Sequence, residues 1–151
     1  MDSNQFSPRF PFADWPNPAI PAVAAGVYAI WKDSELIYCG MSGREIDTKA
    51  KASPKKYGLV TRLNSHASGR LSGDQFCVYV SDRLVMKNLT DEQLEGIGVG
   101  TCSLDHQIRD FIRTELSYRY VLVPDDPTAR TLERYGLQIA KGQGVELLNT
   151  L

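Results

Sequence analysis

Residues 26–40 read GVYAIWKDSELIYCG, and this stretch has the pattern of a β-hairpin. Two runs rich in apolar and aromatic residues, 27–31 and 36–40, are separated by the turn-forming sequence KDSE. Such residues favour paired strands on either side of a tight turn. Tyr28 and Tyr38 then fall at similar places on the two strands, and a phenol can face a substrate and exchange a proton. The stretch therefore predicts the centre of a sheet and a shared functional site.

Length and composition bound the remaining possibilities. The chain has 151 residues, 42% of them hydrophobic, which is enough for one domain with a real core. Cys39, Cys77 and Cys102 form no close pair, so we interpret them as small buried side chains in a reducing compartment. The longest mostly apolar run, 19–31, is interrupted by Pro21 and is too short to span a bilayer. We expect a soluble, cytoplasmic protein with no membrane partner.

Charge is distributed unevenly along the chain. The formal net charge is −1, yet residues 44–70 hold seven basic and two acidic side chains, a local excess of five positive charges. Such segregation can direct one face of an acidic protein to a polyanion, and it is also compatible with a solvated lysine loop. Six of the seven basic residues are candidates for holding a nucleic acid: Arg44, Lys49, Lys51, Lys55, Lys56 and Arg70.

The N-terminal segment, residues 1–25, is rich in proline and in interspersed aromatic residues. Proline limits helix and sheet formation, so this composition predicts an extended arm. We expect its aromatic side chains to dock on the domain, which comprises residues 26–151, or on a second subunit.

The segment after the hairpin combines a loop with a helix. Residues 41–56 are basic, contain glycine and proline and have no apolar periodicity, which indicates a loop. Residues 58–67 have apolar side chains at helical spacing. Arg62 and His66 are four residues apart, so they share one side of this helix, at the edge of its apolar stripe.

The rest of the chain predicts alternating strands and helices. In order, we expect a strand over 75–80, a short strand over 84–86, a capped helical turn at 90–93, a flexible glycine-rich connector over 96–100, a helix over 103–116, a strand over 118–123 and a third helix over 126–140. The predicted fold is α+β, with a small, central, mostly antiparallel sheet of three to four strands flanked by helices.

These residues resemble the GIY-YIG nuclease family. Gly26-Val27-Tyr28 and Tyr38-Cys39-Gly40 are similar to the two tripeptides of that family, each with a different apolar residue in the middle. The family also places an arginine on the first helix after the hairpin, a glutamate on a later helix and an asparagine near the end of the domain. Those positions correspond here to Arg62, Glu133 and Asn149. Some members, notably restriction endonucleases, carry a histidine one turn after the arginine, where this chain has His66.

The resemblance implies an endonuclease that hydrolyses DNA phosphodiester bonds with Mg²⁺ or Mn²⁺. Glu133 would be the metal ligand, because hard divalent ions prefer carboxylate oxygen. Arg62 would stabilise charge on the phosphate through its planar guanidinium. Tyr28 and Tyr38 would flank the attacking water, and His66 would relay a proton, because an isolated phenol is a poor base at neutral pH. The sequence leaves open which tyrosine accepts the proton.

Other functions remain compatible with the same residues. The chain could be a catalytically silent nucleic-acid-binding module, or a nuclease that acts on RNA or on branched repair intermediates. A site with one metal ion cuts one strand at a time, so a homodimer is expected if the enzyme is of the restriction type.

Overall fold

The hairpin over residues 26–40 supplies one internal strand of the sheet and, within the described part of the chain, one edge strand. The computed structural model describes residues 6–43 and 55–124, and this part of the chain is mixed α and β. Its strands are β1 (Phe10–Pro11), β2 (Val23–Lys32), β3 (Glu35–Ser42), β4 (Tyr57–Gly58) and β5 (Leu116–Val123). Its helices are α1 (Leu59–Ser68), α2 (Gln75–Val80), α3 (Asp91–Val99) and α4 (Leu104–Glu115).

The sheet is almost entirely antiparallel, as predicted. The strand order is β1-β5-β2-β3, and the two-residue strand β4 pairs with β2 in parallel. Strand β2 is central, since it pairs with β3 on one side and β5 on the other. Its residues are buried almost without interruption, which explains why the sequence of β2 is apolar rather than alternating. The five strands exceed the predicted three to four because β1 and β4 are two-residue pairings.

The described part of the N-terminal segment, residues 6–25, contributes to the same core. Strand β1 pairs with β5, and Phe12 and Trp15 are buried among residues of the sheet and helices. The indole Nε1 of Trp15 donates a hydrogen bond to Asn64 Oδ1 in α1 at 2.9 Å. The segment therefore joins the sheet edge to the first helix.

Two helices follow their predicted patterns closely. Helix α1 ends at Gly69, whose φ of 72° is the left-handed conformation that glycine adopts without penalty. Helix α4 begins after Ser103, whose hydroxyl accepts a hydrogen bond from the His106 amide. Both helices bury their apolar sides against the sheet and so form the main core.

Residues 75–88 are helical, which contradicts the strands predicted over 75–80 and 84–86. Helix α2 continues into a wider, π-type turn (Ser81–Val85) and a 3-10 turn (Met86–Asn88). Its buried residues Phe76, Cys77 and Val80 are spaced as on one helical face. A short apolar run fits a strand or a buried helix equally well, so periodicity alone could not separate them. The side chain of Asp74 accepts a hydrogen bond from the Cys77 amide, and this N-cap favours the helix over a strand.

Residues 96–99 are also helical and Gly100 caps the helix, so the flexible connector predicted over 96–100 is wrong. Helix α3 begins at the predicted capped turn, where Thr90 and Gln93 form a reciprocal capping box. The helix contains Gly96 and Gly98 and ends at Gly100, whose φ is 82°. The capping box stabilises the start of helix α3, and the helix forms although Gly96 and Gly98 lower its stability.

Several predictions fall outside the described residues. These are most of the basic loop over 41–56 and the third helix over 126–140. Among residues 6–43 and 55–124, no helix has the length and apolar character needed to cross a membrane. Cys39, Cys77 and Cys102, all within the described residues, form no disulfide, and Cys39 and Cys77 are buried.

We predict that Phe12→Ala costs about 3–5 kcal/mol of unfolding free energy, because Phe12 is fully buried and its removal leaves a cavity. Urea unfolding measures the loss. Leu122→Ala is the matched control, because 45% of Leu122 is exposed and its truncation should cost well under that amount. Equal losses for the two variants would contradict the assignment of the N-terminal segment to the core.

Candidate active site

The two tyrosines of the hairpin lie together on one face of the sheet. In the β2–β3 register Tyr28 is opposite Gly40 and Tyr38 is opposite Ile30, so the tyrosines are diagonal neighbours. Their rings stack with centroids 6.2 Å apart. Tyr28 is fully buried, whereas Tyr38 is only partly buried. The prediction that these strands bring both phenols together is confirmed.

Glycine at position 40 makes room for the Tyr28 ring. A Cβ at position 40 would overlap the hydroxyl and Cζ of Tyr28 directly. At position 26 a Cβ would lie 2.7 Å from the Val121 carbonyl oxygen, because β5 and helix α1 approach closely there. Close packing therefore requires glycine at positions 26 and 40, whether or not the site is catalytic.

A chain of buried hydrogen-bonding groups extends from Tyr28 into the domain. The Tyr28 hydroxyl lies 2.7 Å from His66 Nε2, and His66 Nδ1 lies 2.7 Å from Asp74 Oδ2. Only 2% of each of these three residues is exposed. Aromatic rings from three elements surround the imidazole: Tyr28 of β2, Tyr38 of β3 and Phe76 of α2.

Asp74 has further partners that allow its carboxylate to be buried. The Ser65 hydroxyl donates to Oδ2 at 2.5 Å, and the Cys77 amide donates to Oδ1 at 3.0 Å. Burial by itself would raise the pKa of Asp74, but the hydrogen bonds from His66, Ser65 and Cys77 outweigh it and lower the pKa to about 2. Asp74 is therefore ionised at neutral pH.

Burial is the largest influence on the pKa values of His66, Tyr28 and Tyr38. It lowers the pKa of His66, which the Asp74 carboxylate partly opposes, so the resting imidazole is neutral at pH 7. Burial also raises the pKa of Tyr28 well above its usual value and that of Tyr38 to about 12. Both phenols are protonated in the resting protein. Neither is a ready-made base, so any proton that they accept must be passed on.

Arg62 lies on the outer side of helix α1, one turn before His66. The side chain of Arg62 is exposed, whereas His66 is buried. The two residues therefore differ in burial, although the sequence placed both at the edge of the apolar stripe. Burial is the larger influence on all three pKa values; the positive charge of Arg62 opposes the rise for Tyr28 and Tyr38 and adds to the fall for His66.

A cleft of about 480 Å³ adjoins these groups. Its described lining residues are Met41, Ser42, Gly43, Tyr57, Thr61, Arg62 and Ser65. Ser65 connects the cleft to the buried chain, because it lines the cleft and donates to Asp74. The lining combines hydroxyl groups with one guanidinium, which suits an anionic ligand.

The structure brings three of the predicted site residues, Tyr28, Tyr38 and His66, into contact, and it places Arg62 one turn before His66 on helix α1. Lys55, Lys56 and Arg70 are exposed at either end of β4 and α1. The other predicted residues lie outside the described part of the chain: Arg44, Lys49, Lys51, Glu133 and Asn149.

Asp74 is the site residue that the sequence analysis missed. The signal was available, because an aspartate that follows Ser72-Gly73 and precedes an apolar run is typical of a helix N-cap. The strand assigned to residues 75–80 concealed it. Once residues 75–80 are assigned to helix α2, Asp74 is identified as its N-cap. The structure then shows its contacts with Ser65 and His66 of α1.

The residues in reach of the cleft do not complete a metal site. None of the described lining residues carries a carboxylate, and the Asp74 carboxylate is already engaged by three donors. No group of three or more His, Cys, Asp or Glu side chains within residues 6–43 and 55–124 is arranged to hold a metal ion. The predicted ligand, Glu133, lies outside these ranges.

Comparisons of this chain with protein-family models, with curated proteins and with solved structures found no match. The described residues form an α+β fold with a buried Tyr–His–Asp chain beside a cleft that Arg62 lines.

We predict that Gly40→Ala costs about 1–3 kcal/mol of unfolding free energy, because the added methyl group must displace the buried Tyr28 ring. Thermal or urea unfolding measures the cost, and NMR of the His66 ring reports whether the Tyr28 hydroxyl still reaches Nε2. Gly98→Ala is the matched control: its Cβ meets open space on α3, so it should stabilise the protein by about 0.5–1 kcal/mol. A neutral effect of Gly40→Ala would refute the tight packing of Tyr28 against position 40.

Proposed function

We propose that this protein is an endonuclease of the GIY-YIG type that hydrolyses DNA phosphodiester bonds with the help of Mg²⁺ or Mn²⁺. The observation that carries the proposal is the hydrogen-bonded chain from Tyr28 through His66 to Asp74, beside a cleft with Arg62 in its wall. A proton acceptor backed by a relay and a phosphate-binding cation are two of the requirements for phosphodiester hydrolysis.

The chemistry assigns a separate task to each group. An attacking water loses a proton to the phenol cluster of Tyr28 and Tyr38, and a new bond forms between its oxygen and phosphorus. Both phenols are protonated at rest, so the Tyr28 proton must move to the neutral imidazole of His66 as the water proton arrives. The bond from phosphorus to the 3′ oxygen breaks, and solvent returns a proton to that leaving oxygen.

Arg62 is suited to hold the phosphate during this change. Its guanidinium is exposed on the cleft wall and is permanently charged. Charge accumulates on the non-bridging oxygens in the transition state, so the interaction with a planar fork of N–H donors strengthens there.

A divalent ion would stabilise the leaving 3′ oxygen and the phosphate charge when bound. Its predicted ligand is Glu133, and the described cleft residues supply no second carboxylate. The metal requirement therefore rests on the family resemblance.

Exposed basic residues near β4 and helix α1 in sequence favour a nucleic-acid substrate. Lys55, Lys56 and Arg70 are exposed on the described surface, and they belong to the 44–70 segment with its excess of positive charge. Phosphate contacts of this kind supply affinity without selecting a base sequence. A homodimer would be needed for cleavage of both strands at one position.

One observation favours a second function, that of a silent nucleic-acid-binding module. Burial raises the pKa values of Tyr28 and Tyr38, which makes each phenolate harder to form. A protein that retained the cleft without an effective relay would bind DNA and leave it intact. RNA and branched DNA are alternative substrates for the same cleft.

We predict that Arg62→Ala lowers the rate of supercoiled plasmid cleavage in Mg²⁺ by about 10²–10³-fold, because a donor to the transition-state charge is lost. Arg62→Lys keeps the charge and loses the planar fork, so its rate should be intermediate. Chelation of divalent ions with EDTA should abolish cleavage by the unmodified protein.

The control for these variants is Arg83→Ala, which removes an exposed arginine that lies outside the basic segment and does not line the cleft, and which should leave cleavage unchanged. Tight DNA binding without cleavage in any divalent metal would reject the enzyme in favour of the silent module. A screen of duplex DNA, branched DNA and RNA substrates identifies the preferred nucleic acid.

We also predict that DNA affinity falls steeply with added salt, because bound phosphates release counterions. Replacing Lys55, Lys56 and Arg70 with glutamine should reduce the slope of log K against log salt by about one for each phosphate that is no longer neutralised. Fluorescence anisotropy with a labelled duplex measures the slope. Lys87→Gln, at an exposed position outside the basic segment, should leave the slope unchanged; a flat salt dependence for the unmodified protein would contradict the basic-face proposal.

A further inference from the structure

We propose that Asp74 is a positioning residue that holds His66 in the tautomer protonated at Nδ1, so that Nε2 is free to accept the proton of Tyr28. This inference deepens the proposed function and rests on it for its catalytic consequence. The tautomer itself is a property of the resting protein and can be measured without substrate.

The hydrogen-bond geometry assigns the direction of each donor. The ionised carboxylate of Asp74 can only accept, so the 2.7 Å contact with His66 Nδ1 requires a hydrogen on that nitrogen. A neutral imidazole has one N–H, which leaves Nε2 as an acceptor. The Tyr28 hydroxyl, 2.7 Å from Nε2, must therefore be the donor. The hydrogen bonds point from Tyr28 into the imidazole and from the imidazole to the carboxylate.

This arrangement stabilises the imidazolium that proton transfer creates. When Nε2 receives the Tyr28 proton, the positive charge forms 2.7 Å from a carboxylate that is already ionised and held by Ser65 and the Cys77 amide. The buried pair gains attraction at the moment of transfer, and no group has to reorient. Without the carboxylate, the imidazolium would form in a buried aromatic site with no counter-charge.

The groups that face His66 from neighbouring elements point to the same role. Tyr28 comes from β2, Tyr38 from β3 and Asp74 from the start of α2, while Arg62 acts from the helix that carries His66. Asp74 alone among these charged and titratable groups favours protonation of the imidazole, because the positive charge of Arg62 and burial both oppose it. The acidic limb of a pH–rate profile should therefore depend on Asp74.

Asp74 also caps helix α2, so the test variants must keep the cap. Asparagine and serine both serve as N-caps, and either can accept the hydrogen bond from the Cys77 amide. With Oδ1 of asparagine at the amide, its NH₂ group faces His66 Nδ1 and Ser65. That NH₂ can only donate, so Asp74→Asn should switch His66 to the tautomer protonated at Nε2.

The primary experiment is ¹⁵N NMR of the His66 ring in the full-length protein without DNA or metal, in the unmodified chain, in Asp74→Asn and in Asp74→Ser. We expect the Nδ1–H tautomer in the unmodified protein and the Nε2–H tautomer in Asp74→Asn. Asp74→Ser should keep the fold and lose the strong tautomer preference. The circular dichroism spectrum and urea midpoint establish that both variants are folded.

The kinetic experiment is plasmid cleavage with kcat and KM resolved as a function of pH. Asp74→Asn should lower kcat by about 10²–10⁴-fold, the range for loss of general acid–base catalysis, and leave KM unchanged. It should also displace the acidic limb, whereas a merely structural cap would leave that limb in place, since asparagine preserves the cap.

Either of two results would overturn the proposal: an Nε2–H tautomer in the unmodified protein, or an unchanged tautomer in folded Asp74→Asn. Cleavage by Asp74→Asn at the unmodified rate would overturn its catalytic part. If the unmodified protein cleaves no nucleic acid, the proposed function fails, and the NMR result still decides whether Asp74 sets the tautomer.

Discussion

The contact between the Asp74 carboxylate and the His66 imidazole is the constraint on which the candidate site depends. A carboxylate and an imidazole are both nearly removed from water here, next to Phe76 and Tyr38. Such burial is tolerated only when every polar group has a partner. Ser65 and the Cys77 amide complete the partners of the carboxylate, and Tyr28 completes those of the imidazole. One network therefore ties helix α1, the start of helix α2 and the central strand into a single geometry.

The packing of the sheet positions the Tyr28 hydroxyl against His66. Glycine at position 40 lets the Tyr28 ring cross the neighbouring strand, and glycine at position 26 lets β5 and α1 come close to β2. The tyrosine hydroxyl then meets His66 from the side opposite to Asp74. A residue with a side chain at position 40 would compete with the phenol for the same space. The spacing of glycine and tyrosine in the hairpin is thus a packing requirement as well as a chemical one.

Charge is arranged around the site in two layers. The inner layer is buried and holds the ionised Asp74 and the neutral His66; the outer layer is exposed and includes Arg62 on the cleft wall. Burial strengthens the interactions of the inner layer, whereas water and salt screen the outer one. The inner groups are suited to moving a proton and the outer ones to attracting an anion. Ser65 belongs to both layers, because it lines the cleft and donates to Asp74.

The sequence alone determined the elements with strong local signals: the hairpin, the helices around Arg62 and Ile108, the strand predicted over 118–123, which in the structure starts two residues earlier at Leu116, and the placement of two tyrosines on one face. These follow from side-chain periodicity and capping, which act between near neighbours. Residues 75–80 and 96–100 were predicted wrongly, because a six-residue apolar run and a glycine-rich helix carry no decisive local pattern. Only the tertiary structure decided that Phe12 and Trp15 belong to the core and that Asp74 meets His66. The physical reason is that hydrogen bonds and burial between segments depend on which surfaces meet, and no short stretch of sequence contains both surfaces.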